Sequence, residues 1–193
     1  MTKTRLEAFS DAVIAIILTI MVLELRPPHE HTLEALAKLY PIFGCYILSF
    51  IYLGIYWNNH HHMIHSVKHI SGGVLWANLH LLFWLSLVPF TTVWMGETHF
   101  AKLPVAVYGF VLLFAALAYA ILTLTLVKAN GKDSEVARAL GRDFKGKISI
   151  VIYSVGIVFA FLAPVISGVC YLVVAFIWLV PDRRFEHHEH SSS

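Results

Sequence analysis

The hydrophobic residues of this chain are grouped into long runs that short polar segments separate. The first run covers residues 5–25 and reads RLEAFSDAVIAIILTIMVLEL, and similar runs follow at residues 41–57, 74–94 and 104–127. About 20 helical residues at 1.5 Å each span roughly 30 Å, the thickness of the hydrocarbon core of a bilayer. The pattern therefore predicts an all-α integral membrane protein.

A final apolar run, residues 148–180, contains no Lys, Arg, Asp or Glu. As one helix it would be longer than a bilayer requires, whereas two helices of about 17 residues each meet the lower limit for a span. Pro164 and Gly168 favour a tight hairpin between two such helices. We therefore predict six transmembrane helices.

Polar segments connect the apolar runs. Residues 58–69, which include the histidine run, are interpreted as the connection after the second helix, with a turn at residues 72–73. Residues 31–39 and 134–140 mix polar and apolar positions and predict two short additional helices.

Composition supports a membrane protein and excludes several other classes. Of the 193 residues, 58% are hydrophobic and only 13% are charged, whereas soluble domains carry about 25% charged residues. A net charge of +2 is too small to indicate nucleic-acid binding. The two cysteines, Cys45 and Cys170, lie in apolar runs and form neither a disulfide framework nor a metal motif. Because no nucleophilic triad, phosphate loop or zinc-protease motif is present, we predict no catalytic residue, no resident cofactor or metal, and no enzymatic activity.

Lys and Arg residues indicate the orientation in the membrane. They are concentrated at the end that holds the N-terminus, while the other end carries only Arg26, Lys38 and Lys102. Positive charge marks the cytoplasmic side, so both termini are predicted to be cytoplasmic. We expect residues 1–182 to form one transmembrane domain in the bacterial plasma membrane, followed by a polar cytoplasmic tail at residues 183–193.

The first helix carries polar residues that a lipid-facing helix would not keep. Ser10 and Asp11 lie about two turns into the membrane, where an ionisable group costs several kcal/mol unless it meets a partner or water. Asp11 lies roughly opposite Ile16 around the helix and is predicted to point into the protein. We expect Ser10 and Asp11 to bond to donors on the second and third helices, chosen from Asn58, His60, Trp76, Asn78 and His80.

An apolar stripe also follows the first helix. Ile16, Thr19, Ile20 and Leu23 share one face at positions i, i+3, i+4 and i+7, and Phe9 and Ala12 extend that face. One interpretation is ordinary helix packing. The other is a pore wall that closes by dewetting at its Ile and Leu side chains.

Arg5, Phe9, Ser10 and Asp11 spell R-x-x-x-F-S-D at the cytoplasmic start of the first helix. This motif resembles the signature of the endolysosomal potassium channel family, the transmembrane protein 175 family, and in particular of its prokaryotic members. The resemblance implies a homotetramer, because animal members carry two six-helix repeats and this chain carries one. It also implies first helices around a central axis, permeant K⁺ and other monovalent cations, weaker potassium preference than in filter-bearing channels, and proton permeation.

The resemblance and the stripe together assign roles to residues of the first helix. Ile16, Ile20 and Leu23 would form the constriction, and Thr19 would supply a polar ring, since the sequence contains no TVGYG filter. The motif residues would anchor this helix to a scaffold that includes Asn78 and His80. Glu24 is either a carboxylate ring at the pore mouth or an interfacial residue paired with Arg26 or Lys38.

Two other functions remain open from the sequence. Twelve histidines are present, and the spacing of His61 and His65, or of His62 and His65, suits metal or haem ligation on a helix. Imidazoles that lie at a membrane–water boundary explain the run better, and a pH sensor is a further alternative. An ion-coupled secondary transporter would place charges near the midplane and break helices there. Asp11 and Glu24 lie towards the helix ends, which disfavours a transporter.

Overall fold

The computed structural model describes residues 2–140 and 144–179, and all its regular elements are helices. In chain order they are α1 (Lys3–Leu23), α2 (Leu33–Ala37), α3 (Tyr40–His65), α4 (Gly72–Ser86), α5 (Val88–Glu97), α6 (Lys102–Asn130), α7 (Glu135–Leu140), α8 (Phe144–Leu162) and α9 (Pro164–Leu179). The predicted all-α membrane architecture is therefore confirmed, and the predicted tail at residues 183–193 lies outside the described residues.

Five segments within the described ranges are long and apolar enough to cross a membrane: α1, α3, α4 with α5, α6, and α8. The apolar helix α9 has 16 residues, about 24 Å at 1.5 Å per residue, which is shorter than a typical hydrocarbon core. The apolar run at residues 148–180 does break, at Ala163, as the proline predicted. Six membrane crossings remain a prediction.

One predicted helix end is wrong, and one predicted helix is interrupted. The helix α3 continues through the histidine run to His65, because no proline or glycine follows Gly54 until Gly72. The third apolar run is divided at Leu87, since Pro89 has no N–H to donate and its ring disfavours a continuous helix. The extra turns of α3 are important because they carry polar side chains alongside α1.

Side-chain contacts give the directions of the helices. The helices α1 and α3 are antiparallel, since Lys3 bonds to the carbonyl of His65 while Asp11 accepts a bond from Trp57. The helices α3 and α6 are parallel, because the Tyr119 hydroxyl reaches the Asn59 carbonyl and Asn130, at the end of α6, bonds to the backbone just after α3. The start of α1 and the ends of α3 and α6 therefore lie at the same end of the bundle.

The helices α8 and α9 form an antiparallel hairpin that packs against α6. The Ser167 hydroxyl donates to the Gly156 carbonyl at 2.7 Å. Tyr171 is fully buried between α8 and α6, and its hydroxyl donates to the Val105 carbonyl at 3.1 Å. A β-carbon at Gly109 would overlap that hydroxyl, so the glycine allows α6 and the hairpin to approach closely.

Gly109→Ala is expected to destabilise the protein, because the added methyl group displaces the Tyr171 ring and overpacking typically costs about 1–3 kcal/mol. The measurement is thermal unfolding in detergent. Gly54→Ala is the matched control on α3, since a β-carbon there meets nothing within 4 Å, and loss of helical glycine should stabilise by about 0.5–1 kcal/mol. Shifts of the same sign for both variants would contradict the close-approach explanation.

Candidate functional site

One face of α1 packs inside the bundle. Its buried residues are Leu6, Ser10, Ile14, Ile17 and Met21, and they recur every three or four residues as the packing face of a helix requires. This face contacts α3, α4 and α5. The packing face of α1 is therefore different from the stripe that contains Ile16.

The predicted stripe is uncovered in the single chain. Ile16 is 58% exposed, Ile20 is 45% exposed and Leu23 is 73% exposed. Phe9 at 45% also lies on this outer surface. Packing within the chain therefore does not account for the stripe, which stays available to lipid, to other copies of the chain or to an aqueous path.

Thr19 provides the polar position on the stripe. It is exposed, and its hydroxyl donates to the Ala15 carbonyl one turn earlier, at 2.9 Å. A hydroxyl has one proton and two acceptor lone pairs. Because the proton is directed at the helix backbone, the oxygen can present lone pairs away from α1.

A fully buried polar network joins α1 to α3 and α4. Asn78 of α4 donates from Nδ2 to the Ser10 hydroxyl of α1 at 2.9 Å. His60 of α3 contacts Asn78 Oδ1 through Nε2 at 2.8 Å. All three side chains have 0% relative exposure. The structure thus brings Ser10 together with Asn78 and His60, three of the residues singled out from the sequence.

The directions of these bonds determine which ring nitrogen of His60 acts as the donor. Asn78 uses its nitrogen on Ser10, so its oxygen must accept a proton from His60 Nε2. The other ring nitrogen, His60 Nδ1, is buried and has no hydrogen-bond partner in the described part of the chain. Nε2–H is therefore the ring group that binds Asn78, and Nδ1 has no acceptor for a proton of its own among the described residues.

The expectation that Asp11 points into the protein is wrong. Asp11 is partly exposed and accepts a 3.1 Å bond from Trp57 Nε1 at the surface between α1 and α3. One helical residue corresponds to a rotation of about 100°, so burying Ser10 places Asp11 at the edge of the packed face. Trp57 was not among the donors that the sequence suggested.

Asp11 belongs to a row of three surface contacts between α1 and α3, which we call the surface ladder. Four residues before it, Glu7 contacts His61 Nδ1 at 2.9 Å, and four residues before Glu7, Lys3 bonds to the His65 carbonyl. Trp57, His61 and His65 recur every four residues on α3. The sequence does contain this pattern, because the contacting residues recur every four positions on both helices. The pattern becomes informative only when α3 is known to extend through the histidines.

Other predicted site residues lie outside the network. His80 is exposed and accepts a bond from Trp84 Nε1 at 2.9 Å, so its expected place in the scaffold is wrong. Trp76 is 75% exposed. Arg5 is exposed and makes no hydrogen bond or ion pair with any residue that the structure describes.

Glu24 lies at the C-cap of α1 and is exposed. Lys38, one of its two suggested partners, pairs with Glu34 at 3.4 Å instead. The position places the Glu24 carboxylate at the same end of α1 as Leu23, as a pore-mouth ring requires.

The histidines do not converge on a metal-binding geometry in the part of the chain that is described. No group of three or more His, Cys, Asp or Glu side chains there is arranged to hold a metal ion. The rings of His61 and His65 stack at 6.0 Å along α3, and His61 is engaged by Glu7. The histidines at positions 187, 188 and 190 lie outside the described residues.

The chain is similar to known proteins over most of its length. Residues 5–89 match the family model described as endosomal/lysosomal potassium channel TMEM175. A potassium channel of Chryseobacterium sp. (strain P1-3) is 53% identical over 186 residues, covering 96% of this chain and 97% of that protein. A potassium channel of Chamaesiphon minutus is 27% identical over 187 residues, covering 89% and 91%.

A solved structure has the same fold. The crystal structure of a lysosomal potassium-selective channel TMEM175 homolog from Chamaesiphon minutus superimposes with a TM-score of 0.82 at 25% sequence identity. The match covers 93% of this chain and 97% of that one. The structural similarity therefore covers nearly the whole chain and is not limited to α1.

Proposed function

The chain belongs to the TMEM175 family of potassium channels, and from that membership we propose that it conducts K⁺ passively through a pore lined by α1. The observation that carries the proposal is the geometry of α1. One face is fixed by buried packing and the Ser10–Asn78–His60 network, while the stripe through Ile16, Ile20 and Leu23 is left uncovered.

One α1 helix cannot enclose a pore, so several copies must meet. We propose a homotetramer in which four α1 helices surround the axis and the stripe of each helix faces inwards. The exposed stripe supports this arrangement because association would remove Ile16 and Leu23 from contact with lipid and place them in rings. Multi-pass insertion in the bacterial plasma membrane with cytoplasmic termini fits the basic residues at the end that holds Lys3 and Lys147.

The stripe would act on ions in two ways. Rings of Ile16, Ile20 and Leu23 would exclude water when close together and so form a hydrophobic gate. The Thr19 oxygen, whose proton is committed to Ala15, would replace part of the hydration shell of a permeating cation. The Glu24 carboxylates at the outer end would raise the local concentration of cations.

Purified protein in liposomes tests passive conduction directly. A potassium gradient should drive flux well above the flux that an equal sodium gradient drives, without a second ion. Flux that requires a coupled ion would indicate a secondary transporter, and potassium flux no greater than that of empty liposomes would contradict the proposal.

Thr19→Val is expected to reduce potassium flux several-fold and to bring the potassium and sodium fluxes closer together. Valine keeps the shape of threonine and removes the oxygen that would contact the ion. Thr19→Ser is the control, because it retains the hydroxyl and should retain selectivity. Equal potassium-to-sodium ratios in the Val and Ser variants would remove Thr19 from the selectivity mechanism.

A further inference from the structure

A partly open cavity lies on the side of the bundle away from α1. Its volume is about 330 Å³, within the range of about 300–1,000 Å³ that is typical of ligand sites. The wall is formed by α3, α6, α8 and α9, and no lining residue belongs to α1. The cavity is therefore separate from the pore that α1 would line.

The cavity begins at one end of the bundle and extends towards its middle. Lys147, near the start of α8, and Trp178, near the end of α9, lie at its outer part. Tyr153 lies six residues further along α8, about 9 Å deeper at 1.5 Å per residue. The outer part is at the same end as the N-terminus of α1, which the proposed orientation places at the cytoplasmic surface.

The lining is largely aliphatic and aromatic, with a cation at the outer part. Lys147 is exposed, and its side chain makes no hydrogen bond or ion pair among the residues that the structure describes. Lys145 adds a second positive charge nearby, 5.9 Å from the centroid of the Trp178 ring. Deeper in, the Tyr56 hydroxyl has no hydrogen-bond partner in the described ranges.

This combination suits a chain-like apolar ligand with a negatively charged head. Ordered water is a poor occupant of the apolar wall, since a buried water needs two to four polar partners. An acyl chain would match the wall, and the phosphate of its headgroup would match Lys147. Basic side chains at the cytoplasmic surface attract anionic lipids at close range.

We propose that this cavity binds an acyl chain of an anionic phospholipid from the cytoplasmic leaflet, with the lipid phosphate on Lys147. The proposal rests on the proposed function only for the orientation of the chain in the membrane. The lipid contacts Tyr56 of α3, whose neighbour Trp57 bonds to Asp11 of α1. A bound lipid thus supports the turns of α3 that hold the proposed pore helix.

Native mass spectrometry of the detergent-solubilised protein tests this inference without any flux measurement. The protein is titrated with phosphatidylglycerol, with phosphatidylcholine of identical acyl chains, and with oleate as a free fatty acid. Phosphatidylglycerol should bind about fivefold more tightly than phosphatidylcholine, the effect of one lysine at the headgroup. Equal binding of the two phospholipids, or tighter binding of oleate than of phosphatidylglycerol, would overturn the proposal.

Substitutions then locate the site. Lys147→Gln should remove the preference for phosphatidylglycerol, whereas Lys128→Gln, which changes an exposed lysine at the end of α6 outside the cavity, should leave it intact. Ala120→Phe should abolish tight lipid binding by filling the cavity, while Ile121→Phe alters an adjacent exposed residue that does not line it. Equal effects within either pair would refute the assignment.

Fluorescence provides a second measurement if the filled variant does not fold. Phosphatidylglycerol with brominated acyl chains should quench Trp178, so the quenched fraction should be larger for the native protein than for Trp178→Phe. Identical quenching of the two proteins would place the lipid elsewhere. Because neither readout depends on ion flux, failure of lipid binding and failure of potassium conduction are distinguishable.

Discussion

Replacing Ile16 with asparagine is expected to raise potassium flux into liposomes on the order of tenfold, which corresponds to lowering the barrier by about 1.4 kcal/mol. Ile16 is 58% exposed on the stripe of α1, so the substitution removes no packing inside the chain. In a tetramer it replaces a ring of four apolar side chains by four amides that hydrogen-bond to water. The constriction then stays hydrated, and the free-energy barrier for an ion to cross it is lower.

Val22→Asn is the matched control for this experiment. Val22 is 44% exposed on the same helix, and it lies about 120° around α1 from Ile16. It should therefore leave flux unchanged if the stripe lines the pore. Unchanged flux in Ile16→Asn, or an equal increase in Val22→Asn, would show that the stripe is not the permeation surface.

The sequence predicted the stripe correctly as a separate face of α1 because a helix has a fixed angular period. It could not show that this face is uncovered, since an apolar stripe is equally typical of a packed helix. The buried face that passes through Ser10 became clear only from the positions of α3 and α4. Likewise, the pairing of His60 with Asn78 depends on the crossing of two helices, which spacing along one helix does not determine.

The predictions that the structure contradicts also fail for physical reasons. Asp11 was expected inside because its charge needs a partner at depth, but an indole at the helix surface meets that need without burial. The histidine run was interpreted as a connection because of its polarity. Polarity does not end a helix, however, and α3 continues until Ser66 caps it. Proline does interrupt a helix, and Pro89 indicates such an interruption. The continuous apolar run at residues 74–94 nevertheless favours a single helix.

Asn78→Leu is expected to produce the largest loss of stability among substitutions in the polar network. Leucine has the same branching and the same number of side-chain heavy atoms as asparagine but accepts no hydrogen bond, so His60 Nε2–H is left buried without a partner. Such a group costs about 1–3 kcal/mol. Ser10 keeps its bond to the Leu6 carbonyl at 2.9 Å. Most of the lost stability therefore comes from the unpaired imidazole N–H. The measurement is thermal unfolding of the protein in detergent.

Two controls separate the network from a general effect of the substitution. Asn58→Leu makes the same change at an exposed position of α3 and should alter stability by less than about 0.5 kcal/mol. Asp11→Ala removes only the surface bond to Trp57 and should cost about 0.5–1.5 kcal/mol. A larger loss for Asp11→Ala than for Asn78→Leu would mean that the surface ladder, and not the buried network, holds α1.

A double substitution tests whether His60 and Asn78 act as a pair. Replacing both with leucine removes the orphaned donor together with its acceptor, and apolar replacement of both partners can be nearly neutral. The double variant should therefore be more stable than Asn78→Leu alone, with a coupling of about 0.5–3 kcal/mol between the two sites. Additive losses would contradict the bond. A positive coupling, accompanied by normal potassium flux in the double variant, would show that this bond positions α1 without taking part in permeation.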